Sequence, residues 1–308
     1  MLDVVLGSRA QRWPRRAAAA RLSEPVPRGT IRVLKFGGSS LAAADRIRDV
    51  AAIVLDAAAH APIVVVVSAF HGVTNQLIEC ARRAAQREPH EELYDAIAAR
   101  HRSCIDALLG GDGSAIRQLV DDHLRELHGT LTAIVGRGNC PAELIDETAS
   151  FGERLSALIV SGYLNQFRAA RFVDARGLVT TDDRFTHANV LFDHTNRAVR
   201  DEIGRLWRRS PDALPVVTGF IGRTEDGRTT TIGRNGSDYT AAIVGAALDA
   251  AAIEIWTDVD GVMSADPKVV PSASVLPQMT YDDARELSYF GAKVVHPQAI
   301  EPAVERSI

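Results

Sequence analysis

The stretch APIVVVVSAF (residues 61–70) carries an isoleucine followed by four valines. A short, unbroken β-branched run is typical of a strand buried on both faces, because a half-exposed strand would alternate apolar and polar residues. The run is far too short for a membrane span, which needs roughly 20 apolar residues. It therefore predicts a central strand of a parallel sheet.

Segments of this kind alternate with helical patterns on both sides of that strand. IRVLKFGG (31–38) predicts a strand that enters a glycine turn, and Ile47, Val50 and Val54 then share one helical face. Further strands are predicted at 169–179, 214–222 and 251–257, helices at 71–85, 88–135 (broken at 110–114), 142–166 and 237–250, and a hairpin turn at Asp226-Gly227. The alternation predicts an α/β fold with a mostly parallel central sheet covered on both faces.

Glycine-bearing loops follow four of the predicted strands, after Leu34, Val67, Val217 and Ile255. Ligands of open α/β sheets collect outside the carboxyl ends of the strands. We therefore expect the functional site to lie among these loops.

Composition limits the function classes. The 308 residues are 46% hydrophobic, carry a net charge of −4 and contain few aromatics, so neither a membrane nor a nucleic acid partner is expected. The three cysteines are widely spaced and the nine histidines lack metal-ligand spacing. We expect no protein-held metal ion and a reducing, cytoplasmic location.

Residues 1–29 differ in composition from the rest of the chain. They contain six arginines and an alanine run, with only Asp3 and Glu24 as acids. We expect a disordered leader, with an organellar transit peptide as the alternative.

Two glycine turns carry basic residues. In KFGGSS (35–40), Lys35 precedes Gly37, Gly38 and Ser39, which together form a phosphate cradle or else a plain strand-to-helix turn. In IGRNGSD (232–238), Arg234 suits a carboxylate, while Asp238 is either a functional acid or only a helix-start residue. Glu153 and Arg154 of FGERL would by themselves be a solvated or structural ion pair.

These motifs, in this order, resemble those of aspartate kinases in the amino acid kinase superfamily. The resemblance runs from about residue 31 to the end and rests on VLKFGGSS, VVVSAFHGVTNQL, FGERLSA, TGFIGRTEDGRTTTIGRNGSDYTAA, IWTDVDGVMSADPKVV and ELSYFGAKVVHP. GRNGSDY and ELSYFGAKV are especially similar to the kinase portion of bifunctional aspartokinase/homoserine dehydrogenases.

The resemblance implies a three-layer α/β/α amino acid kinase fold over residues 30–308, with an amino-acid half at about 30–214 and a nucleotide half at about 215–308. It implies Mg²⁺-dependent transfer of phosphate from ATP to the β-carboxylate of L-aspartate, the first step of lysine, threonine and methionine biosynthesis. The catalytic residues it implies are Lys35, Asp238 and Lys293. The substrate pocket it implies consists of Ser68, Thr74, Glu153, Phe185, Arg234 and Ser237.

The same resemblance assigns ATP to Lys35, Gly37, Gly38, Ser39, Thr257, Asp258, Met263, Lys268 and Lys293. Met263 and Lys268 depart from the tyrosine and arginine that are frequent in the family. Lys268 keeps the charge but loses the bidentate fork of arginine, so a weaker contact with ATP is expected.

Several expectations remain open at this point. The family normally continues with another strand and regulatory ACT modules, so the chain, which is C-terminally incomplete relative to this family, is expected to be either a fragment of a longer parent or an unregulated kinase core, with a homo-oligomer left open. An amino acid kinase acting on glutamate or N-acetylglutamate, and a non-catalytic ligand-binding remnant, are the alternatives.

Overall fold

A computed structural model describes residues 2–3, 29–258, 261–266, 269–289 and 297–308. The strands are β1 Leu2–Asp3, β2 Arg32–Phe36, β3 Ile63–Val67, β4 Ala170–Val173, β5 Thr180–Thr181, β6 Leu214–Thr218, β7 Ile221–Thr224, β8 Thr229–Thr231, β9 Ala252–Trp256 and β10 Gln278–Met279. The helices are α1 Ala44–Ala58, α2 Val73–Gln86, α3 Glu91–Leu109, α4 Ser114–Arg137, α5 Ala142–Leu164, α6 Phe192–Arg209, α7 Gly236–Ala247, α8 Tyr281–Tyr289 and α9 Pro297–Glu305.

Five parallel strands form the central sheet in the order β4-β6-β3-β2-β9. The valine run is β3, which lies at the middle of this sheet and is fully buried. Its place confirms that the unbroken β-branched pattern marks a strand covered on both faces.

Two apolar cores cover the two faces of the sheet. Residues of β2 alternate between them, since Leu34 and Phe36 belong to one core and Val33 to the other. Helices α1–α5 contribute to the first core, while α6 and α7 contribute to the second. The chain therefore has the predicted three-layer α/β/α architecture.

A smaller sheet of order β5-β7-β8 lies beside the carboxyl end of β6. Strands β7 and β8 form an antiparallel hairpin, with Gly227 in the left-handed region at φ 93°. This confirms the turn predicted at Asp226-Gly227, because glycine adopts positive φ without steric cost. The hairpin leads directly into the IGRNGSD segment.

The strand predicted at 169–179 is wrong in its second half. Strand β4 ends at Val173, and a 3₁₀ turn follows at Ala175–Gly177. The carboxylate of Asp174 accepts the N–H of Arg176 at 3.0 Å and so stabilises this turn instead of a continued strand.

Two residues of the expected leader are structured. Leu2–Asp3 pairs antiparallel with Gln278–Met279, and this pairing satisfies backbone groups that a disordered leader would leave to water. Residues 1 and 4–28 lie outside the described part of the chain. None of the described helices is both long enough and apolar enough to cross a membrane.

Candidate active site

The carboxyl ends of β2, β3, β6 and β9 meet at one edge of the central sheet, because these strands run parallel. The glycine-bearing loops predicted from the sequence follow these ends. Backbone hydrogen bonds connect the loops: Ser68 N–H donates to Phe36 O at 3.1 Å, and Gly219 N–H donates to Val67 O at 2.8 Å. This edge is the candidate active site.

Lys35 extends from β2 toward the first turn of α7. Its Nζ lies 2.6 Å from Asp238 Oδ1, and Lys35 is only 8% exposed. Asp238 Oδ1 nevertheless accepts no hydrogen bond of normal geometry from the described residues, so the contact is an ion pair only. Asp238 is therefore more than a helix-start residue, because it balances a nearly buried lysine charge.

Glu153 reaches the same edge from the middle of α5 and is 3% exposed. Its Oε1 accepts the N–H of Ala69 at 3.1 Å, whereas its Oε2 is buried and has no hydrogen-bond partner among the described residues. Burial raises the pKa of Glu153 to about 8, against the opposing effects of the Ala69 N–H and the Lys35 charge. A buried carboxylate oxygen without a partner is a ready acceptor for a ligand cation.

The loop after β2 and the loop after β3 touch backbone to backbone. Gly38 O accepts the N–H of His71 at 3.1 Å, and a Cβ added at Gly38 would lie 2.8 Å from Ala69 O. Gly37 N–H donates to Trp256 O at 3.3 Å, so this amide already has an acceptor from the next strand. Only glycine fits at position 38 in this packing.

The IGRNGSD segment turns sharply into α7. Gly233 and Asn235 both have positive φ, at 83° and 54°. Arg234 between them is exposed and makes no hydrogen bond or ion pair with the described residues. Ser237 is buried, and a Cβ added at Gly219 would lie 2.5 Å from its hydroxyl oxygen. The turn therefore leaves the Arg234 guanidinium available to a ligand while packing Ser237 against the loop after β6.

Ser68 and Thr74 lie at the end of β3 and at the start of α2. The carbonyl oxygen of Ser68 accepts the hydroxyl of Ser156 at 2.6 Å, which connects this loop to α5. Thr74 is half-buried. Ser68 is therefore connected to the helix that carries Glu153, whereas no hydrogen bond between Thr74 and that helix is found among the described residues.

Phe185 lies in the loop after β5, beneath the guanidinium of Arg228 at 5.1 Å. The next residue, Thr186, has φ 73°, which is a strained value for a β-branched residue. A Cβ added at Gly233 would lie 3.2 Å from the ring of His187, so this loop abuts the turn that carries Arg234. The fold thus brings the predicted Phe185 segment to the Arg234 turn.

The residues predicted for the nucleotide follow β9. Thr257 and Asp258 are exposed, and the Thr257 hydroxyl donates to Asp258 Oδ1 at 3.1 Å. Hydrogen bonds from its own backbone N–H, from Thr257 and from Ser39 lower the pKa of Asp258. Ser39 and Asp258 are thus neighbours, which connects the glycine loop of β2 to the loop after β9.

The other three residues predicted to bind the nucleotide have no described contact with the glycine loop of β2. Met263 forms an isolated antiparallel bridge with Val275. Lys268 and Lys293, including the predicted catalytic Lys293, lie outside the described residues.

A family model described as the Amino acid kinase family matches residues 30–308. The chain belongs to the amino acid kinase family. Aspartokinase 1, chloroplastic, from Arabidopsis thaliana is 38% identical over 296 residues, which cover 93% of this chain and 50% of that relative. Lysine-sensitive aspartokinase 3 from Escherichia coli is 37% identical over 279 residues, covering 90% of this chain and 60% of the relative. This amino acid kinase chain thus spans about half the length of the curated relatives it matches.

Solved structures agree with this family assignment. Escherichia coli aspartokinase III in complex with aspartate and ADP superimposes with a TM-score of 0.81 at 35% identity, covering 90% of this chain and 60% of that one. The same enzyme in complex with lysine and aspartate gives a TM-score of 0.79. A bifunctional aspartokinase/homoserine dehydrogenase from Buchnera aphidicola is 31% identical over 90% of this chain and 34% of its own length. The amino acid kinase fold is therefore shared with aspartokinase III, and the sequence similarity extends to the bifunctional relative.

The sequence interpretation of Glu153 and Arg154 as one ion pair is wrong for this amino acid kinase. Successive helical residues point about 100° apart. Arg154 is buried on another side of α5, where it pairs with Glu126 at 2.7 Å and lies 4.5 Å from the Phe151 ring. Among the described residues, Lys35 is therefore the cation that acts on Glu153.

The sequence did not point to Asp146 of α5, which binds two segments of the candidate site. Its buried carboxylate accepts the N–H of Thr186 at 2.8 Å, and the N–H and hydroxyl of Thr231 at 2.9 and 2.8 Å. One side chain thus holds both the loop of Phe185 and the strand that leads to Arg234. The only sequence signal was an aspartate seven residues before Glu153, which places both on one helical face.

Proposed function

We propose that this chain is an aspartate kinase domain, which transfers the γ-phosphoryl group of Mg-ATP to the β-carboxylate of L-aspartate. Glu153 carries the proposal, because its buried and unpaired Oε2 beside Lys35 suits the ammonium group of a free amino acid. The relatives named aspartokinases and the neighbour bound to aspartate and ADP support this substrate.

Aspartate is recognised at both of its ends in this proposal. Glu153 Oε2 accepts the ammonium group, while the exposed fork of Arg234 binds the α-carboxylate bidentately. Ser68, Thr74, Phe185 and Ser237 line the space between these two charges. This arrangement leaves the β-carboxylate free to face Lys35.

The reaction needs alignment and positive charge more than a base. The aspartate side chain has a pKa of about 3.9 and is already ionised at neutral pH. One of its oxygens attacks the γ-phosphorus, the bond to the β–γ bridging oxygen breaks, and ADP leaves with 4-phospho-L-aspartate as the product. Lys35 stabilises the negative charge on the transferred group, and Asp238 holds the Lys35 ammonium in place.

ATP would lie along the loops after β2 and β9. The proposed contacts are Gly37, Gly38 and Ser39 near the phosphates, Thr257, Asp258 and Met263 near the nucleoside, and Lys268 and Lys293 from outside the described residues. The described residues include no group of three or more acidic, histidine or cysteine side chains that could hold a metal ion. In this proposal Mg²⁺ arrives on the phosphate oxygens of ATP, because Mg²⁺ in kinase sites is usually bound by substrate phosphates, and it neutralises charge there.

In this proposal the reaction is the first step in the biosynthesis of lysine, threonine and methionine. Residues 30–214 would supply the amino-acid half and residues 215–308 the nucleotide half. A cytoplasmic location remains part of the proposal, beside the organellar location that the chloroplastic relatives are named for. A longer parent chain is likewise proposed, since bifunctional relatives are matched over about a third of their length.

A hydroxylamine trap tests the proposal directly. Purified protein with Mg-ATP is incubated separately with L-aspartate, L-glutamate and N-acetyl-L-glutamate, and an acyl phosphate is detected as its coloured hydroxamate. We expect product with aspartate alone, and at least about 100-fold less from Lys35→Met, because one electrostatic stabiliser is typically worth that much. Product with N-acetyl-L-glutamate would contradict the role of Glu153, since that substrate has no ammonium group. No product in any tube from folded protein would favour a non-catalytic remnant.

A further inference from the structure

Arg100 lies on α3, outside every residue assigned above to substrate or nucleotide. Its guanidinium donates from Nη1 to His71 O at 2.7 Å and from Nη2 to Ala42 O at 2.9 Å. These two carbonyls belong to different site loops, the loop after β3 and the end of the glycine turn after β2. One side chain therefore spans both loops from a third element.

The two loops that Arg100 joins are in direct backbone contact. Gly38 O accepts the N–H of His71, and no side chain fits between Gly38 and Ala69 O. The first loop follows Lys35, and the second supplies the Ala69 N–H that binds Glu153. Their spacing therefore affects mainly the phosphoryl side of the candidate site, because Glu153 and Arg234, the residues proposed to bind the two charges of the amino acid, lie on α5 and on the turn before α7.

Ring contacts also hold the loop after β3 against α3. The Arg100 guanidinium lies 5.6 Å from the Phe70 ring, and the ring of the adjacent His101 stacks on Phe70 at 4.6 Å. His101 is fully buried, and burial lowers its pKa to about 4, so it packs as a neutral ring. The loop after β3 is therefore held to α3 in two ways. The ring of Phe70 stacks on His101, and the carbonyl oxygen of His71 accepts a hydrogen bond from Arg100.

The shape of the guanidinium explains why arginine is needed here. Its planar fork presents two parallel donors, so it can bind two carbonyl oxygens at once, whereas a lysine ammonium is a point charge. Arg100 forms no hydrogen bond with Lys35, Glu153 or Asp238 within the described structure, so it has no direct contact of that kind with these site residues. Its effect must pass through the two loops.

We propose that Arg100 is a positioning residue that fixes the separation of the two site loops for phosphoryl transfer. This inference rests on the proposed aspartate kinase function for its kinetic consequence. It predicts that Arg100→Gln loosens both loops while leaving the amino-acid contacts on α5 and α7 in place.

Hydrogen exchange and kinetics on the full chain test the two parts separately. In Arg100→Gln, we expect faster amide exchange in peptides that cover residues 37–43 and 68–73. We also expect kcat to fall about 10- to 100-fold, since small misplacements of reacting groups cost rates of this order, with the aspartate KM changed less than about threefold. Arg100→Lys should keep the charge but recover only part of kcat, because it reaches one carbonyl at a time.

Arg102→Gln is the matched control. Arg102 lies on the same helix and pairs with Asp121 at 2.8 Å on the surface, away from both loops. Its replacement should leave loop exchange and kinetics unchanged, so any loss common to both variants reflects α3 stability alone.

Each result decides the proposal. Unchanged loop exchange in Arg100→Gln, or faster exchange with a normal kcat, would overturn it, as would a rate loss that only mirrors a larger unfolded fraction. Wild-type protein that makes no acyl phosphate would contradict the proposed function instead. In that case the role of Arg100 is decided by amide exchange in the two loops and by the Kd for Mg-ADP, both compared between Arg100→Gln and wild type. A Kd that is the same in both proteins would count against the role of Arg100.

Discussion

Glu153 is in an unfavourable environment unless a ligand is bound. Its side chain is almost fully buried, and one carboxylate oxygen has no partner among the described residues. Burial raises the pKa of Glu153 from 4.5 to about 8, so the carboxyl group is mostly protonated at neutral pH in the ligand-free protein. A ligand ammonium favours the charged form and would lower this pKa again.

The pH dependence of aspartate binding follows from that pKa. Binding of the ammonium group requires the Glu153 carboxylate, so below pH 8 a proton must leave as aspartate binds. The aspartate Kd should therefore fall with rising pH, by at most about tenfold per unit, and level off above pH 8. Isothermal titration from pH 6 to 9 measures this.

Two variants give that prediction its control. Glu153→Gln should bind aspartate weakly and without this pH dependence. Glu147→Gln changes a half-exposed residue of the same helix, which lies near Arg154 and Arg176, and should keep the wild-type profile. A flat wild-type profile would show that Glu153 does not receive the ammonium group.

The ligand-free stability should show the opposite trend with pH. A group whose pKa is raised in the folded chain stabilises it fully below its unfolded pKa, and this contribution is lost as pH rises through the folded value. For Glu153 the window runs from 4.5 to about 8. Urea unfolding across this range should show wild type losing stability relative to Glu153→Gln, and equal slopes would contradict the pKa shift.

A substitution at Gly38 would test whether the loops after β2 and β3 must stay in close contact. Gly38→Ala would place a methyl group 2.8 Å from Ala69 O, so the loops must separate. We expect at least about a tenfold loss of kcat and a destabilisation of about 1–3 kcal/mol, the usual range for overpacking. Gly129→Ala is the control, since Gly129 lies in α4 with no atom within 4 Å of the added methyl, and should be stabilising by about 0.5–1 kcal/mol with normal activity. Normal kcat in Gly38→Ala would mean that the loops tolerate wider spacing.

Asp146 of α5 forms hydrogen bonds with both the Phe185 loop and β8, and so connects these two elements to the helix that carries Glu153. Asp146→Ala would leave the N–H groups of Thr186 and Thr231 without their acceptor, and we expect a loss of about 3 kcal/mol or more in stability. Asp146→Asn can keep both bonds through its carbonyl oxygen, while its amide donates to the Thr231 hydroxyl. Asn should therefore restore most of the stability and the aspartate KM. Equal damage from Asn and Ala, measured by urea unfolding and steady-state kinetics, would show that the charge of Asp146 is essential.

Several elements could be predicted because their signals are local. The valine run favours a buried strand at β3, and the Asp-Gly pair favours the turn of the β7-β8 hairpin. The end of β4 could not be predicted, because Leu178 and Val179 follow the segment 174–177 and resume the apolar pattern of the strand in the sequence. An aspartate side chain bonding two residues ahead ends the strand there.

The residues of the site were predictable from their motifs, but several of their contacts were not. Lys35 and Asp238 are 203 positions apart, and their pairing depends on α7 packing beside β2. Arg100 and Asp146 lie in ordinary helical patterns and have no motif, because their importance comes from carbonyls and amides that distant segments place near them. Such side chain-to-backbone contacts leave no periodic signal in a sequence.

At the scale of the whole molecule, the central sheet separates the groups that would hold aspartate. Glu153 comes from α5, in the layer of the first core, whereas Arg234 and Asp238 come from the turn and helix of the second core. Lys35 on β2 lies between these layers. An amino acid bound by Glu153 and Arg234 would therefore join the two helical layers across the edge of the sheet.

Because bound aspartate would contact both helical layers, we expect it to stabilise the whole fold, and we expect this stabilisation to depend on the ammonium group of aspartate. Aspartate at 100 times its Kd should stabilise the folded chain by about 2.7 kcal/mol, which for a domain of this size raises Tm by about 4–5 °C. Succinate has the same two carboxylates but no ammonium, so at equal concentration it leaves Glu153 unpaired and should raise Tm by less than about 1 °C. Differential scanning calorimetry at pH 8 compares the two ligands on the same protein. An equal shift with succinate would mean that carboxylate contacts alone join the layers, and the unpaired oxygen of Glu153 would then need another ligand group to explain it.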